Sequence, residues 1–227
     1  MIILTGASGG IGRALLPYLS EIDDVLGIYN TSLPDIKSDE RIILEKLNIE
    51  DPDAVERFVI KWNNKLSKVT LLHCAASKID GLAANYTLSD WDKVMNVNLR
   101  GNFILTKALL PHMIAEQWGR VIHVSSRGGI DGAPGTLAYS TSKTGLLGMS
   151  RVLGKEYARF KITSNVLVLG TFETGMFLDL PEEQKKKIIN QIPSRIFGNV
   201  TNIASAVNFL IMSEYVTASV INIDGGM

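Results

Sequence analysis

Three side chains raise the first chemical question. Tyr139 and Lys143 stand four residues apart, so a helix would carry both on one face. Ser126 lies thirteen residues before the tyrosine, at the end of the apolar run "RVIHVSS" at 120–126. A phenol with its ordinary pKa near ~10 is a poor proton donor and acceptor at neutral pH. Lowering that value by about three units takes ~4 kcal/mol, at ~1.36 kcal/mol per unit. An ammonium ~4 Å away supplies about that much at an effective dielectric of ~20, and only ~1 kcal/mol in open water. The spacing therefore predicts a sheltered cleft in which Lys143 lowers the pKa of Tyr139 and Ser126 orients the oxygen of a substrate.

A second pair of the same spacing, Tyr157 and Lys161, is expected further along the same helix and on the same face. At a rise of ~1.5 Å per residue the two pairs stand ~27 Å apart, so only one can serve a given site. Tyr139 follows a Gly/Pro loop and has a strand-end serine upstream. Tyr157 has neither and reads as a packing residue beside a solvated lysine.

A glycine cluster opens the chain. "TGASGGIG" at 5–12 follows the strand-like "IILT" and leads into a helical pattern, the context that makes a glycine run a phosphate-site candidate. Gly6 would let the chain turn sharply out of the sheet, Gly10 let backbone approach a pyrophosphate, and Gly12 let the helix pack against the strand. The first turn of that helix would then face the anion with free N–H groups and the positive end of its dipole. The plain alternative is a flexible strand-to-helix turn.

These residues need a frame. Apolar β-rich runs recur at 2–5, 25–29, 41–47, 69–75, 120–126, 164–170 and 219–224, and helical patterns separate most of them, over 51–66, 102–118, 139–159 and 201–213. Strands apolar on both sides and alternating with helices imply a parallel sheet covered on both faces. The expected fold is α/β: one Rossmann-type, doubly wound domain over 1–227, with about seven strands. Only about a dozen residues, Pro34 among them, separate Tyr29 from Ile42, so a loop or single turn is expected there. Pro17 should kink or end the first helix.

Bulk composition narrows the classes. The 227 residues are 46% hydrophobic and 20% charged, as in a globular protein with a sizeable core. Lys plus Arg equals Asp plus Glu at 23 each, which leaves no basic surplus for nucleic acid or an anionic membrane. One cysteine, Cys74, excludes an internal disulfide and fits a reducing compartment. No leader is visible and no apolar run nears the ~20 residues of a membrane span, so the expected location is cytoplasmic. His73, His112 and His123 lack metal-ligand spacing. No metal is expected. His73 and His123 read as satisfied core or cleft-lining groups, Cys74 as a small buried filler, and "EEQKKK" at 182–187 as a solvated helix face.

Taken together, "TGASGGIG", the Ser126-to-Tyr139 spacing and "YSTSK" resemble the short-chain dehydrogenase/reductase family, and within it the chain is similar to the 3-oxoacyl-[acyl-carrier-protein] reductases and other small carbonyl reductases. "VMNVNLRGNF" at 94–103, "SNVLVLGTFETGM" at 164–176, "SRIFGN" and "INIDGGM" extend the likeness over nearly the whole chain. The resemblance implies hydride transfer between a nicotinamide cofactor and a carbonyl or secondary alcohol. Tyr139 would be the general acid/base, Lys143 its modulator and a ribose ligand, Ser126 the holder of the substrate oxygen, and Asn98 the support of a relay water. Cofactor contacts are implied for Thr5, Gly6, Ser8, Gly10, Ile11, Gly12, Asn30, Thr31, Asn48, Ile49, Ala75, Tyr139, Lys143, Phe172 and Thr174. A short substrate lid is implied at 174–195, and a homodimer or homotetramer built through the two long helices. The chain departs from the family pattern at His73-Cys74-Ala75-Ala76, where Asn-Asn-Ala-Gly is usual. It also departs at Asn48 (aspartate), Leu169 (proline) and Ala218 (glycine).

No carboxylate stands at Tyr29-Asn30-Thr31-Ser32, where an acidic residue would bind a ribose 2′-hydroxyl and repel a 2′-phosphate. Arg13, Lys37 or Arg41 could lend charge there, although Gly9 fills a slot that is often basic in NADP-preferring relatives. The expected cofactor is NADP(H). The alternatives are an NAD-dependent secondary-alcohol or sugar dehydrogenase, or a noncatalytic, nucleotide-responsive interaction protein.

Overall fold

The computed structural model describes residues 1–37, 39–178 and 180–227. Ser38, in the 30–41 connection, and Asp179, in the 174–195 segment, lie outside the described residues. The chain runs β1 (Ile2–Thr5), α1 (Gly10–Ser20), β2 (Val25–Tyr29), β3 (Ile42–Lys46), α2 (Pro52–Trp62), β4 (Thr70–His73), α3 (Leu88–Met95), α4 (Gly101–Glu116) and β5 (Gly119–Ser126). It continues through α5 (Arg127–Ile130), α6 (Leu137–Tyr157), β6 (Ile162–Leu169), α7 (Glu182–Ile189), α8 (Val200–Met212) and β7 (Val220–Ile223).

The strands form one seven-stranded sheet in the order β3-β2-β1-β4-β5-β6-β7, parallel throughout. Its inner strands are buried on both faces, mostly by apolar side chains, with Thr163, Ser164 and Asn165 of β6 as buried polar residues among them. One core packs α1 and α8 against Ile2, Leu4, Leu72, Ile122 and Leu167. The other packs α2 and α4 against Ile3, Leu26, Leu71 and Val121 on the opposite face. Strand order reverses between β1 and β4, which opens a crevice at the carboxyl edge there.

Two expectations need correction. Helix α1 does not end at Pro17 but runs three residues beyond it. A proline inside a helix costs ~3 kcal/mol, whereas Leu15, Leu16 and Leu19 are all fully buried, at ~1.5–3 kcal/mol each. Helix α6, in turn, ends at Tyr157, a 3₁₀ turn covers Ala158–Phe160, and Lys161 adopts φ +58°. The chain must reverse there to enter β6 at Ile162, so Tyr157 and Lys161 never share a helical face. The 30–41 connection holds no helix among its described residues, as its length and Pro34 suggest. None of the described helices is long and apolar enough to cross a membrane.

Candidate active site

Thr5 ends β1, and its Oγ1 accepts hydrogen bonds from the backbone N–H groups of Cys74 and Ala75, each at 3.1 Å. That hydroxyl locks together the two strand exits that flank the crevice. Gly6 then turns the chain at φ +72°, and a Cβ there would lie 2.7 Å from Ala75 backbone, so only glycine fits. A Cβ on Gly12 would stand 2.1 Å from the Gly6 carbonyl oxygen, and one on Gly10 2.8 Å from Gly175 Cα. Gly10 is thus closed on by the lid segment as well as open to the crevice. Gly9 caps α1 without a side-chain hydrogen bond, so the first-turn N–H groups are left to face an anion.

On the far side of the crevice, Ser126 is the last residue of β5 and caps α5. Tyr139 and Lys143 lie on the first turns of α6. The Ser126 hydroxyl accepts from the Gly128 N–H at 3.3 Å and acts to lower the pKa of the Tyr139 phenol. The Lys143 ammonium donates to the Val124 carbonyl at 2.7 Å and stands 5.8 Å from the Tyr139 ring centre. Lys143 is only 3% exposed, and burial pushes its pKa down to about 8.

The phenol departs from expectation. Its pKa is raised in this geometry, chiefly by burial, with the Ser126 hydroxyl opposing and Cys74 adding to the rise. The Lys143 charge is turned to the Val124 carbonyl, and desolvation outweighs what a hydroxyl can return.

Asn98 lies in a π-helical turn, Asn96–Arg100, that joins α3 to α4. Its Nδ2 donates to the Ser77 carbonyl and to Ser142 Oγ, both at 2.9 Å, and its Oδ1 accepts from Ser77 N at 2.7 Å. Its side chain therefore braces the β4 exit against α6. Of the catalytic and cofactor residues implied by the resemblance, Asn98 alone does not line the crevice. Thr5, Gly6, Ser8, Gly10, Ile11, Gly12, Asn30, Thr31, Asn48, Ile49, Ala75, Ser126, Tyr139, Lys143, Phe172 and Thr174 all surround one cavity of about 810 Å³. Asn48 Oδ1 accepts from Glu50 N at 3.1 Å, an Asx turn that fixes the loop after β3.

Sequence reading missed part of this wall. Cys74, Lys78, Gly175 and Phe177 line it too. Cys74 is half-buried, packing against the core of α1 and α8 on one side and lining the cavity on the other, and burial raises its thiol to about 11 against the pull of Lys143. Its position as the first residue past β4 was the available signal, because strand exits at a switch point face the ligand. His123 also departs from the satisfied core group expected. It is fully buried, and among the described residues neither ring nitrogen has a hydrogen-bond partner. His73 beside it is held by Thr106 Oγ1 at 2.8 Å. The proposed helpers Arg13, Lys37 and Arg41 do not line the cavity. Arg41 bonds Asp24 at 3.1 Å, at the amino edge of the sheet, because residues after Pro34 must return there to enter β3.

The family model described as short chain dehydrogenase matches residues 1–185. The chain is 34% identical to the 3-oxoacyl-[acyl-carrier-protein] reductase of Rickettsia conorii, over 99% of its own length and 95% of the relative's. It is 35% identical to the Thermotoga maritima protein of the same name, over 99% and 96%, and 34% identical to nodulation protein G of a Rhizobium strain, over 99% and 95%. A match of that extent, on a parallel sheet with a glycine turn at its switch point, places the chain in the short-chain dehydrogenase family of oxidoreductases.

Proposed function

We propose that this protein is an NADP(H)-dependent reductase of 3-oxoacyl-type carbonyl compounds, with Ser126, Tyr139 and Lys143 at the reacting centre. The observation that carries the reading is their convergence with the glycine turn on one cavity. The residues present fit a dinucleotide. Gly6 and Gly12 leave no side chain in the cradle, α1 offers uncapped N–H groups, and Tyr29-Asn30-Thr31-Ser32 at the end of β2 has no carboxylate to repel a 2′-phosphate. The turn of α1 would hold the pyrophosphate, Asn30 and Thr31 the ribose, Asn48 and Ile49 the adenine, and Phe172 and Thr174 the nicotinamide side. When bound, NADP(H) supplies or takes up the hydride. The relatives' names support the 3-oxoacyl assignment.

In the reducing direction, Ser126 Oγ donates a hydrogen bond to the carbonyl oxygen and fixes it beside the phenol. Tyr139 gives its proton to that oxygen as the carbon is reduced. A phenol with a raised pKa holds its proton until that moment, which suits the acid role. Lys143, sheltered and cationic below pH about 8, steadies the phenolate left behind. Asn98 positions the floor of the site by bracing Ser77 against Ser142.

The described parts of 174–195 serve as the substrate lid of a single catalytic domain. The protein works in the cytoplasm as a homo-oligomer joined through α4 and α6, a reading supported by half-exposed Phe103 on α4 and Val152 on α6. Replacement of Tyr139 by Phe tests the assignment. The variant is expected to bind NADPH within about tenfold of wild type, by fluorescence titration, as one lost hydroxyl contact allows, and to lose about 10²–10⁴-fold in turnover of a 3-oxoacyl thioester. Equal turnover by both proteins would remove Tyr139 from the chemistry.

A further inference from the structure

A 2′-phosphate carries close to two negative charges at neutral pH, so a site that selects for it needs a cation nearby. Among the described residues lining the cavity the cations are Lys78 and Lys143. Lys143 is bonded to Val124 at the catalytic end, and Lys78 is paired with Asp80 at 3.0 Å. Asn30 and Thr31 can donate hydrogen bonds but no charge, and Gly9 has no side chain to offer.

A further cation, Lys46, stands on the neighbouring strand, next to Leu47 and Asn48 of the cavity wall and outside the lining itself. Strands β2 and β3 pair in register, with Tyr29 opposite Lys46, and the Leu47 N–H bonds the Tyr29 carbonyl at 2.8 Å. Neighbouring strands lie ~4.8 Å apart. Alternation fixes which way Lys46 faces. Ile42 and Leu44 pack into the core with α1, whereas Glu45 turns to the other face and pairs with Lys61 of α2 at 2.5 Å. On β2, a Cβ on Gly27 would meet Leu44, Ala7 and Leu16. Tyr29 and Lys46 are the next members of these two rows, on the side of the sheet that carries the glycine turn. Lys46 is exposed, and no carboxylate among the described residues forms an ion pair with it.

We propose that Lys46 is the cation that meets the 2′-phosphate of the cofactor, and so the residue that sets preference for NADP(H) over NAD(H). The inference rests on the cofactor reading above. It assigns the discriminating charge to the strand beside the ribose position rather than to the glycine turn or the end of β2.

Equilibrium binding tests it without turnover. NADPH and NADH are titrated by fluorescence against wild type, Lys46→Met, Lys46→Glu, Lys46→Arg and Arg13→Met, with adenosine 2′,5′-bisphosphate and AMP as competitors. Thermal unfolding of each protein checks folding. Wild type is expected to prefer NADPH. Lys46→Met should weaken NADPH and the bisphosphate about tenfold and leave NADH and AMP within about twofold. Lys46→Glu should weaken NADPH further, Lys46→Arg should retain it, and added salt should narrow the gap between wild type and Lys46→Met. Unchanged NADPH affinity in Lys46→Met, or a loss seen instead in Arg13→Met, overturns the assignment to Lys46. Wild type that binds NADH as tightly as NADPH overturns the cofactor reading itself.

Discussion

Adjacent glycines Gly128 and Gly129 open the segment between Ser126 and Tyr139, and they are not equivalent. A Cβ on Gly128 would find nothing nearer than Ser126 Oγ at 3.7 Å, whereas one on Gly129 would sit 2.5 Å from Lys143 Cβ. No rotamer relieves a clash between two Cβ atoms, so Gly129→Ala must push α5 away from α6 and carry Lys143 with it. We expect Gly129→Ala to cost about 1–3 kcal/mol of stability and to lower turnover at least tenfold. Gly128→Ala should stay within about 0.5 kcal/mol of wild type. Chemical denaturation and steady-state rates of the two variants check this, and equal behaviour would mean that α5 floats free of the lysine. Residue chemistry was legible wherever it depends on spacing along one element, as for Tyr139 and Lys143, or on position at a strand end, as for Ser126. It was not legible where it depends on which neighbours meet in space. The Tyr139 pKa is raised chiefly by burial, while the Lys143 amine is bonded to the Val124 carbonyl, and no one-dimensional pattern encodes either.

Ala218 belongs to the scale of elements. It ends the turn that leads into β7, with φ +56°, and its N–H donates to the Ser164 carbonyl at 2.7 Å. That left-handed conformation is costly for any residue with a Cβ and nearly free for glycine. We expect Ala218→Gly to stabilise the protein by about 0.5–1 kcal/mol, net of the added freedom of the unfolded chain, with a rise of about 1–4 °C in Tm. A lower Tm would mean that the alanine methyl contributes more in packing near Gly154 than its backbone loses. The strands were legible for a related reason. An inner strand of a parallel sheet is apolar on both faces and short, so β1 and β2 announce themselves. Helix limits were less so, because they reflect a balance between local and tertiary terms. Buried leucines carry α1 through Pro17, and the need to enter β6 stops α6 at Tyr157 although nothing in "EYARFK" breaks a helix.

At the scale of the whole molecule, the pair His73 and His123 ties stability to pH. The two lie side by side on β4 and β5, rings stacked 5.0 Å apart at 7°, and both are fully buried. Burial pushes His123 down to about 3 from an ordinary 6.5, with the Lys143 charge acting in the same direction. His73 is driven well below its ordinary value by burial, by His123 and by Lys143. The folded chain therefore keeps both rings neutral in mild acid, while the unfolded chain protonates them below about pH 6.5. The unfolded state binds more protons over that window, so stability must fall as the pH drops. From pH 6.5 to 5 the loss from His123 alone is about 2 kcal/mol, and His73 adds to it. Lys143, with its pKa near 8, is protonated in both states below pH 7 and contributes no slope there. Urea unfolding at pH 7 and pH 5 should show this loss in the wild type, and His123→Asn should abolish about 2 kcal/mol of it whatever its stability at pH 7. An equal loss in both proteins would mean that the rings take up protons without unfolding. The strain of acid falls first on the β4–β5 floor beneath Lys143, so cofactor binding should fail over the same pH range as the fold rather than at a separate step.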